Sequence, residues 1–447
     1  MAQIDVGRRL DEGNWDGYQK WLVFLTALTI VFDGIDNQLL GVAIPSIMQE
    51  WSVPRAAFSP VVSIGYAGMM IGGALAGLAG DRFGRRSALL VSMALFGLMT
   101  AAGAGATSPF HLALVRFLAG AGLGGAVPNA AALAAEYVPL RHRPVAVTLT
   151  IVCVPVGATI AGLLGIRALP VVGWRMLFVI GGVIPMLGAL ALTWVLPESP
   201  RYLARYPQRW PELVRTLTRM GHPTPEGATF IDSIERSVKR VSVRTLFQPE
   251  MRVDTLALFA AFFSCLLAVY LGFSWLTALL TNAGFDPATA NVGITAFNLG
   301  GVVGALAGSA VMGGLGSRLP MLTMTASAVV GALVLSMMKI DASQPVLPIL
   351  VMLTLTGGAI NAVQVTMYAL AAHIYPSAVR ATGVGAAAGV GRLGAILSGY
   401  AGSWAIDYRG SSSYFALIAL TMCATCVSLA LIKRHVPVNR MSRQTSS

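Results

Sequence analysis

The stretch WLVFLTALTIVFDGIDNQLLGVAIP, residues 21–45, carries no charge except Asp33 and Asp36. About 20 predominantly apolar residues suffice to cross a bilayer as a helix, so this run reads as a membrane span with two carboxylates near its middle. The rest of the chain has the same character: of 447 residues, 55% are hydrophobic and 11% charged, and the mean hydropathy is +0.71. Soluble globular domains do not have this composition. Twelve runs are candidate spans: residues 21–45, 58–79, 87–106, 109–133, 144–168, 174–196, 254–280, 289–312, 319–339, 346–368, 380–404 and 412–432. The expected fold class is an all-α polytopic membrane protein.

A net charge of +12 could serve nucleic acid, but its distribution argues for a membrane. Of the 31 Lys and Arg, 24 lie in the N-terminal segment, the loops 80–86, 139–143, 197–253 and 313–318, the start of the eleventh run and the C-terminal tail. Arg55, Arg167, Arg175, Lys339 and Arg409 fall on the other side, and Arg116 and Arg392 lie inside the membrane. Cytoplasmic loops carry such an excess of Lys and Arg. Both termini are therefore expected in the cytoplasm, with the lipid bilayer and not nucleic acid as partner; a multi-pass monomer in a bacterial inner membrane is the accompanying expectation. The first run follows a charged segment and has no small-residue cleavage site behind it, so no removable signal peptide is read. Cys153, Cys265, Cys423 and Cys426 fall within the runs as small apolar residues, and neither a disulfide, a metal nor a cofactor is expected.

The polar stretch 197–253 divides six runs from six. The domain reading is a cytoplasmic segment 1–20, a six-helix half 21–196, a cytoplasmic linker 197–253, a second half 254–432 and a cytoplasmic tail 433–447. Within the linker, RYLARYPQRWPELVRTLTRMG (201–221) and FIDSIERSVKRVSVRTLF (230–247) read as short amphipathic helices, either solvated or resting on anionic headgroups. An internal repeat supports the two halves. GDRFGRRS (80–87) returns as GGLGSRLP (313–320), setting Arg318 233 residues after Arg85. EYVPLRHRP (136–144) returns as HIYPSAVRA (373–381), aligning Pro139 with Pro376 and Arg143 with Arg380 at an offset of 237. Paired halves of this kind place a substrate site between them near the membrane midplane.

GDRFGRRS, RFLAGAGLGG (116–125) and PESPRYL (197–203) resemble the signature segments of the major facilitator superfamily, and the likeness runs over nearly the whole chain. Within it, DGID (33–36), Arg116, Glu136, Arg380 and GVGRLGAI (389–396) resemble the aromatic acid:proton symporters. The resemblance implies the major facilitator fold, with 12 transmembrane helices in two pseudo-symmetric six-helix halves. It also implies a transporter and not an enzyme, driven by a proton gradient without a cofactor, and a requirement for Asp33, Asp36 and Arg116 in transport. GGLGSRLP departs from the pattern, lacking the acidic residue found at Asp81.

The charges inside the membrane carry the functional reading. Insertion scales charge about 2.5–3.5 kcal/mol for such a residue at a helix centre, so four of them facing lipid would cost on the order of 10 kcal/mol. They must face one another or water. Shifted by the repeat offset, the two aspartates land near Leu266 to Val269, Arg116 near Val351 to Leu353, and Arg392 on Pro155, all uncharged. A purely architectural need would recur in both halves, so function is favoured over scaffold. Asp33 or Asp36 beside Arg116 can exchange a proton as the arginine leaves and returns; a permanent buried pair is the alternative, though a poor stabiliser. The two-pronged guanidinium of Arg392 suits a carboxylate, as substrate or as an interhelical tie to an aspartate.

Phe32, Tyr270 and Tyr368 are candidate flat walls for an aromatic ring, and Asn298 and Gln364 candidate polar contacts, because an amide in hydrocarbon needs a partner. Asp81, Arg82 and Arg85 on one loop, with Glu136 and Arg380, are candidate gating charges: Asp81 could reach the start of the eleventh span, and Glu136 could pair with Arg380. The reading is a proton-coupled importer of a small aromatic carboxylate such as a benzoate or hydroxybenzoate, working by alternating access. The alternatives are a symporter of a muconate- or shikimate-like acid, and a sensor or exporter of the same fold.

Overall fold

A computed structural model describes residues 3–225, 227–232, 243–376 and 379–437. Its first half contains α1 (Gly17–Trp51), α2 (Ser59–Phe83), α3 (Arg85–Gly103), α4 (Pro109–Tyr137), α5 (Arg143–Arg167) and α6 (Leu169–Val195). The second contains α7 (Arg252–Asn282), α8 (Pro287–Leu315), α9 (Arg318–Met337), α10 (Val346–Ile374), α11 (Arg380–Arg409) and α12 (Ser411–Leu431). Among the described residues, eleven helices are long and apolar enough to cross a membrane. The exception is α11, glycine-rich and bearing Arg392, which packs between α2, α7 and α12. The expected span at 174–196 corresponds to a real break: at Gly173 (φ 74°) the backbone of α6 leaves helical geometry.

Each half packs by the same device. A Cβ on Gly68 or Gly72 of α2 would run into the carbonyl oxygens of Phe117 and Ala121 of α4. A Cβ on Gly300 or Gly304 of α8 would meet those of Thr354 and Gly358 of α10. Both glycine pairs stand 232 residues apart (68 to 300, 72 to 304), so the sequence repeat is a repeat of close helix contacts. In lipid no hydrophobic force draws helices together, and small residues that admit backbone contact take its place. The halves meet along α1 and α7, α5 and α8, and α2 and α11. Helices α1 and α7 are the most enclosed, with 72% and 78% of their apolar windows buried, and so they set the centre of the bundle.

The linker departs from expectation. Pro200–Ala204 and Trp210–Arg219 are helical, but Thr229–Ile231 forms a strand (β2) paired in parallel with an N-terminal strand (β1, Gln3–Asp5). Three-residue strands carry too little periodicity to be read from sequence. Of the rest of the second expected amphipathic helix, Val243–Phe247 is a short 3-10 helix and 233–242 lies outside the described residues. The short helix Val6–Asp11 brings the Asp11 carboxylate between Arg143 of α5 and Arg201 (2.7 Å), fastening the N-terminal segment to the first half.

Candidate functional site

Asp33 and Asp36 lie about one turn apart on α1, both buried, yet they meet different neighbours. Asp36 is 0% exposed; Thr100 Oγ1 of α3 donates to its Oδ1, and Arg116 Nη1 of α4 pairs with its Oδ2 at 3.2 Å. This is a triad within the first half. Asp33 Oδ1 is buried without a hydrogen-bond partner, and the cation in its electrostatic reach is Arg392 of the second half, with Asp36 as the neighbouring anion. Arg392 Nη1 donates to Tyr270 Oη (2.5 Å), lies 3.7 Å from Met69 Sδ, and its guanidinium sits 5.7 Å from the Tyr270 ring centroid.

Aromatic rings surround that cation. Tyr270 packs on Tyr66 of α2 with centroids 4.4 Å apart, and the Tyr66 hydroxyl shares a hydrogen bond with Ser274 of α7 (2.7 Å). Tyr368 of α10 is also in electrostatic reach of Arg392 and stands edge-on to Phe262. Between Arg116 and this cluster lies a void of about 10 Å³ bordered by Asn37, Tyr66, Met69, Arg116 and Ser274. Arg116 Nε and Asn37 Oδ1 are buried there without partners. Unsatisfied buried polar atoms are costly, and here two of them, with Asp33 Oδ1 nearby on the same helix as Asn37, lie beside paired charges where the halves meet.

Residues 26–347 and 257–447 match the family model of the Major Facilitator Superfamily. The chain belongs to that superfamily. Its full-length relatives include a gallate transporter of Pseudomonas putida, 33% identical over 96% of this chain and 95% of that one. Another is the 4-hydroxybenzoate transporter PcaK of Acinetobacter baylyi, 32% identical over 97% and 95%. Among solved structures it is similar to the partially occluded, inward-open xylose transporter XylE of E. coli, with a TM-score of 0.76 at 16% identity over 94% of this chain and 99% of that chain. The last likeness concerns the fold. This facilitator is thus a multi-pass membrane transporter and not an enzyme, and the resemblance to aromatic-acid carriers read from its motifs holds.

Within the facilitator frame, Asp33, Asp36, Arg116, Arg392, Tyr270 and Tyr368 come together, while Gln364, one turn before Tyr368, is half-buried on the same helix. Two expected contacts do not. The ring of Phe32 lies against Gly188 of α6 and near Met93 of α3, because helix rotation turns it away from the face that Asp33 presents to the second half. Asn298 Nδ2 donates to Gln38 Oε1 (3.2 Å), and Gln38 donates to the Phe273 carbonyl (2.7 Å), so both amides serve to join the halves. Thr100, Tyr66, Asn37 and Ser274 were not anticipated. An unpaired amide beside DGID was the available signal for Asn37; Ser and Thr usually satisfy themselves on their own helix and give none.

Of the candidate gating charges, Asp81, Arg85 and Glu136 form a network within the facilitator's first half. Asp81 pairs with Arg85 (2.5 Å), Arg85 approaches Glu136 (3.8 Å), and Ser199 donates to Glu136. Arg82 is exposed, its guanidinium over the Phe83 ring. Arg380 donates instead to the Tyr375 carbonyl (3.4 Å), and among the described residues neither Glu136 nor Asp81 is ion-paired or hydrogen-bonded to Arg380 or to the start of α11. From the buried charges to the opposite end of the bundle the halves are tied: Tyr66 to Ser274, Gln38 to Phe273, Ser63 to the Ile396 carbonyl (2.7 Å), and at the end itself Arg55 to Asp407 and to Asn282 (2.8 Å).

Proposed function

We propose that the protein is a proton-coupled symporter that brings a small aromatic carboxylate into the bacterial cytoplasm by alternating access. The observation that carries this reading is the enclosure of two arginines and two aspartates where the halves meet, with one arginine ringed by tyrosines. Arg116 is neutralised by Asp36 within its own half. Arg392 is the cation open to a ligand, and its planar fork matches a carboxylate, while Tyr66, Tyr270 and Tyr368 offer flat apolar walls with hydroxyl edges. The full-length relatives named for gallate and 4-hydroxybenzoate support an aromatic cargo.

Coupling follows from competition. In the empty carrier Arg392 is the counter-charge for Asp33. A substrate carboxylate that takes Arg392 leaves Asp33 as an uncompensated buried charge, and Asp33 then binds a proton. Anion and proton thereby enter together. The excess of Lys and Arg in the loops beside the linker supports a cytoplasmic linker and cytoplasmic termini. With that orientation, the cross-half bonds at the opposite end support an inward-facing reading, closed outside, in which the Asp81–Arg85–Glu136 network makes no ion pair or hydrogen bond with the second half among the described residues.

The test is uptake of labelled aromatic acids into vesicles holding the purified protein, with and without an inward proton gradient. Concentration of an aromatic acid only under the gradient is the expected result; equilibration without concentration would leave a uniporter and remove the coupling role of Asp33.

A further inference from the structure

The closed end holds an arginine that the coupling chemistry does not use. Arg55 stands in the short turn between α1 and α2, 9% exposed. Its fork is divided: Nη1 pairs with Asp407 of α11, Nη2 donates to Asn282 of α7 (2.8 Å), and Nε is buried with no partner. Arg55 lines a cleft of about 380 Å³, the size of a small-molecule site. Pro45, Met48 and Val53 give the cleft apolar walls, and Gln49 and Asn282 add polar edges.

A buried guanidinium with a spare donor beside an apolar wall suits an anion with a flat apolar body. The resident partner is easily given up. Asp407 is 52% exposed, so water takes over its carboxylate when the arginine leaves, and an incoming anion keeps the buried guanidinium paired, avoiding the cost of an uncompensated charge. Both partners of Arg55 belong to the second half, so a ligand on Arg55 competes with one of the bonds that hold this end shut.

We propose that this cleft is an outer capture site for an aromatic carboxylate, where the anion takes Arg55 from Asp407 and so loosens the closure of that end. This rests on the importer reading above. Substrate outside then favours the state in which the central site faces it, through its better contacts with that state.

The experiment measures equilibrium binding of labelled benzoate and 4-hydroxybenzoate to the full chain in nanodiscs, with the central site silenced by Arg392→Ala. A weaker saturable site is expected to remain. Adding Arg55→Gln should weaken it at least tenfold, and adding Asp407→Asn should tighten it several-fold, since the fork is then free. Arg55→Lys, which keeps the charge if Arg55→Gln does not fold, should weaken it less. Both Arg55→Gln and Asp407→Asn break the same latch, so a mere latch predicts effects of the same sign. Same-sign effects, or no saturable binding after Arg392→Ala, overturn the proposal while leaving the importer intact. Failure of the wild-type protein to concentrate any aromatic acid under a proton gradient overturns the importer and this site with it.

Discussion

Asp33 and Asp36 differ in what their loss should do, although the sequence presents them as a pair. Asp36→Asn leaves Arg116 buried without its counter-charge and is expected to cost about 3–5 kcal/mol, read as a lowered thermal midpoint in detergent. Asp33→Asn removes a carboxylate whose Oδ1 already lacks a partner. It should therefore unfold no earlier than the wild type while losing gradient-driven accumulation; a large drop in its midpoint would make Asp33 structural. Arg392→Lys keeps the charge but loses the fork, and its apparent affinity for benzoate should fall at least tenfold in binding measurements. The charged members of the site were legible because ionisable groups in hydrocarbon are too costly to be incidental. The direction of Phe32 was not, since one residue of helix rotation, set by packing with α3 and α6, decides it.

At the scale of elements, the loops after α2 and α8 show what the repeat preserves and what it replaces. Glu198 receives the backbone N–H of Arg86 (2.9 Å) and of Ser87 (3.4 Å) at the start of α3, a carboxylate at a helix N-terminus where the dipole favours it. In the second half Ser317 N–H bonds to the Val436 carbonyl (3.1 Å), Val436 N–H to Ser317 Oγ (2.8 Å), and His435 Nδ1 to the same hydroxyl (3.0 Å). Thus the acidic residue missing from GGLGSRLP does not leave that loop loose. Glu198→Ala should cost about 1–2 kcal/mol through the lost cap, checked by thermal unfolding. Burial, reinforced by Arg318, holds His435 below its ordinary value of 6.5. The neutral ring is the docked form, so docking of the tail is complete above about pH 6.5 and weakens as the pH falls from there through the lower folded value. Amide protection at 432–437 should decrease between pH 7 and 5, and His435→Gln should flatten that dependence. None of this was readable from GGLGSRLP alone, because its capping groups come from a segment more than 100 residues away.

For the whole molecule, the repeat revealed two halves and could not reveal which end is closed. Alternating access needs gate-forming groups at both ends, and a sequence holds both sets at once. The bonds of Arg55, Gln38 and Tyr66 across the halves decide it. Gln38→Ala removes two links between α1 and the second half, to Phe273 and to Asn298, and should shift the population toward the outward-facing state. Labelling of a Ser274→Cys variant by an impermeant thiol reagent added from outside should then rise several-fold; an unchanged rate would make Gln38 a packing residue only.

The confinement of the Asp36–Arg116 pair to one half bears on the membrane voltage. As the halves rock, that pair travels as a neutral unit. Under the proposed coupling, the empty carrier moves Arg392 against Asp33, which sum to zero, and the loaded one moves Arg392 with the substrate anion beside a protonated Asp33, which also sum to zero. A potential acts at about 2.3 kcal/mol per elementary charge per 100 mV, and here it finds no net charge to push. Collapsing the voltage at constant pH difference should leave the rate of uptake unchanged, and the concentration gradient reached should follow the pH difference alone.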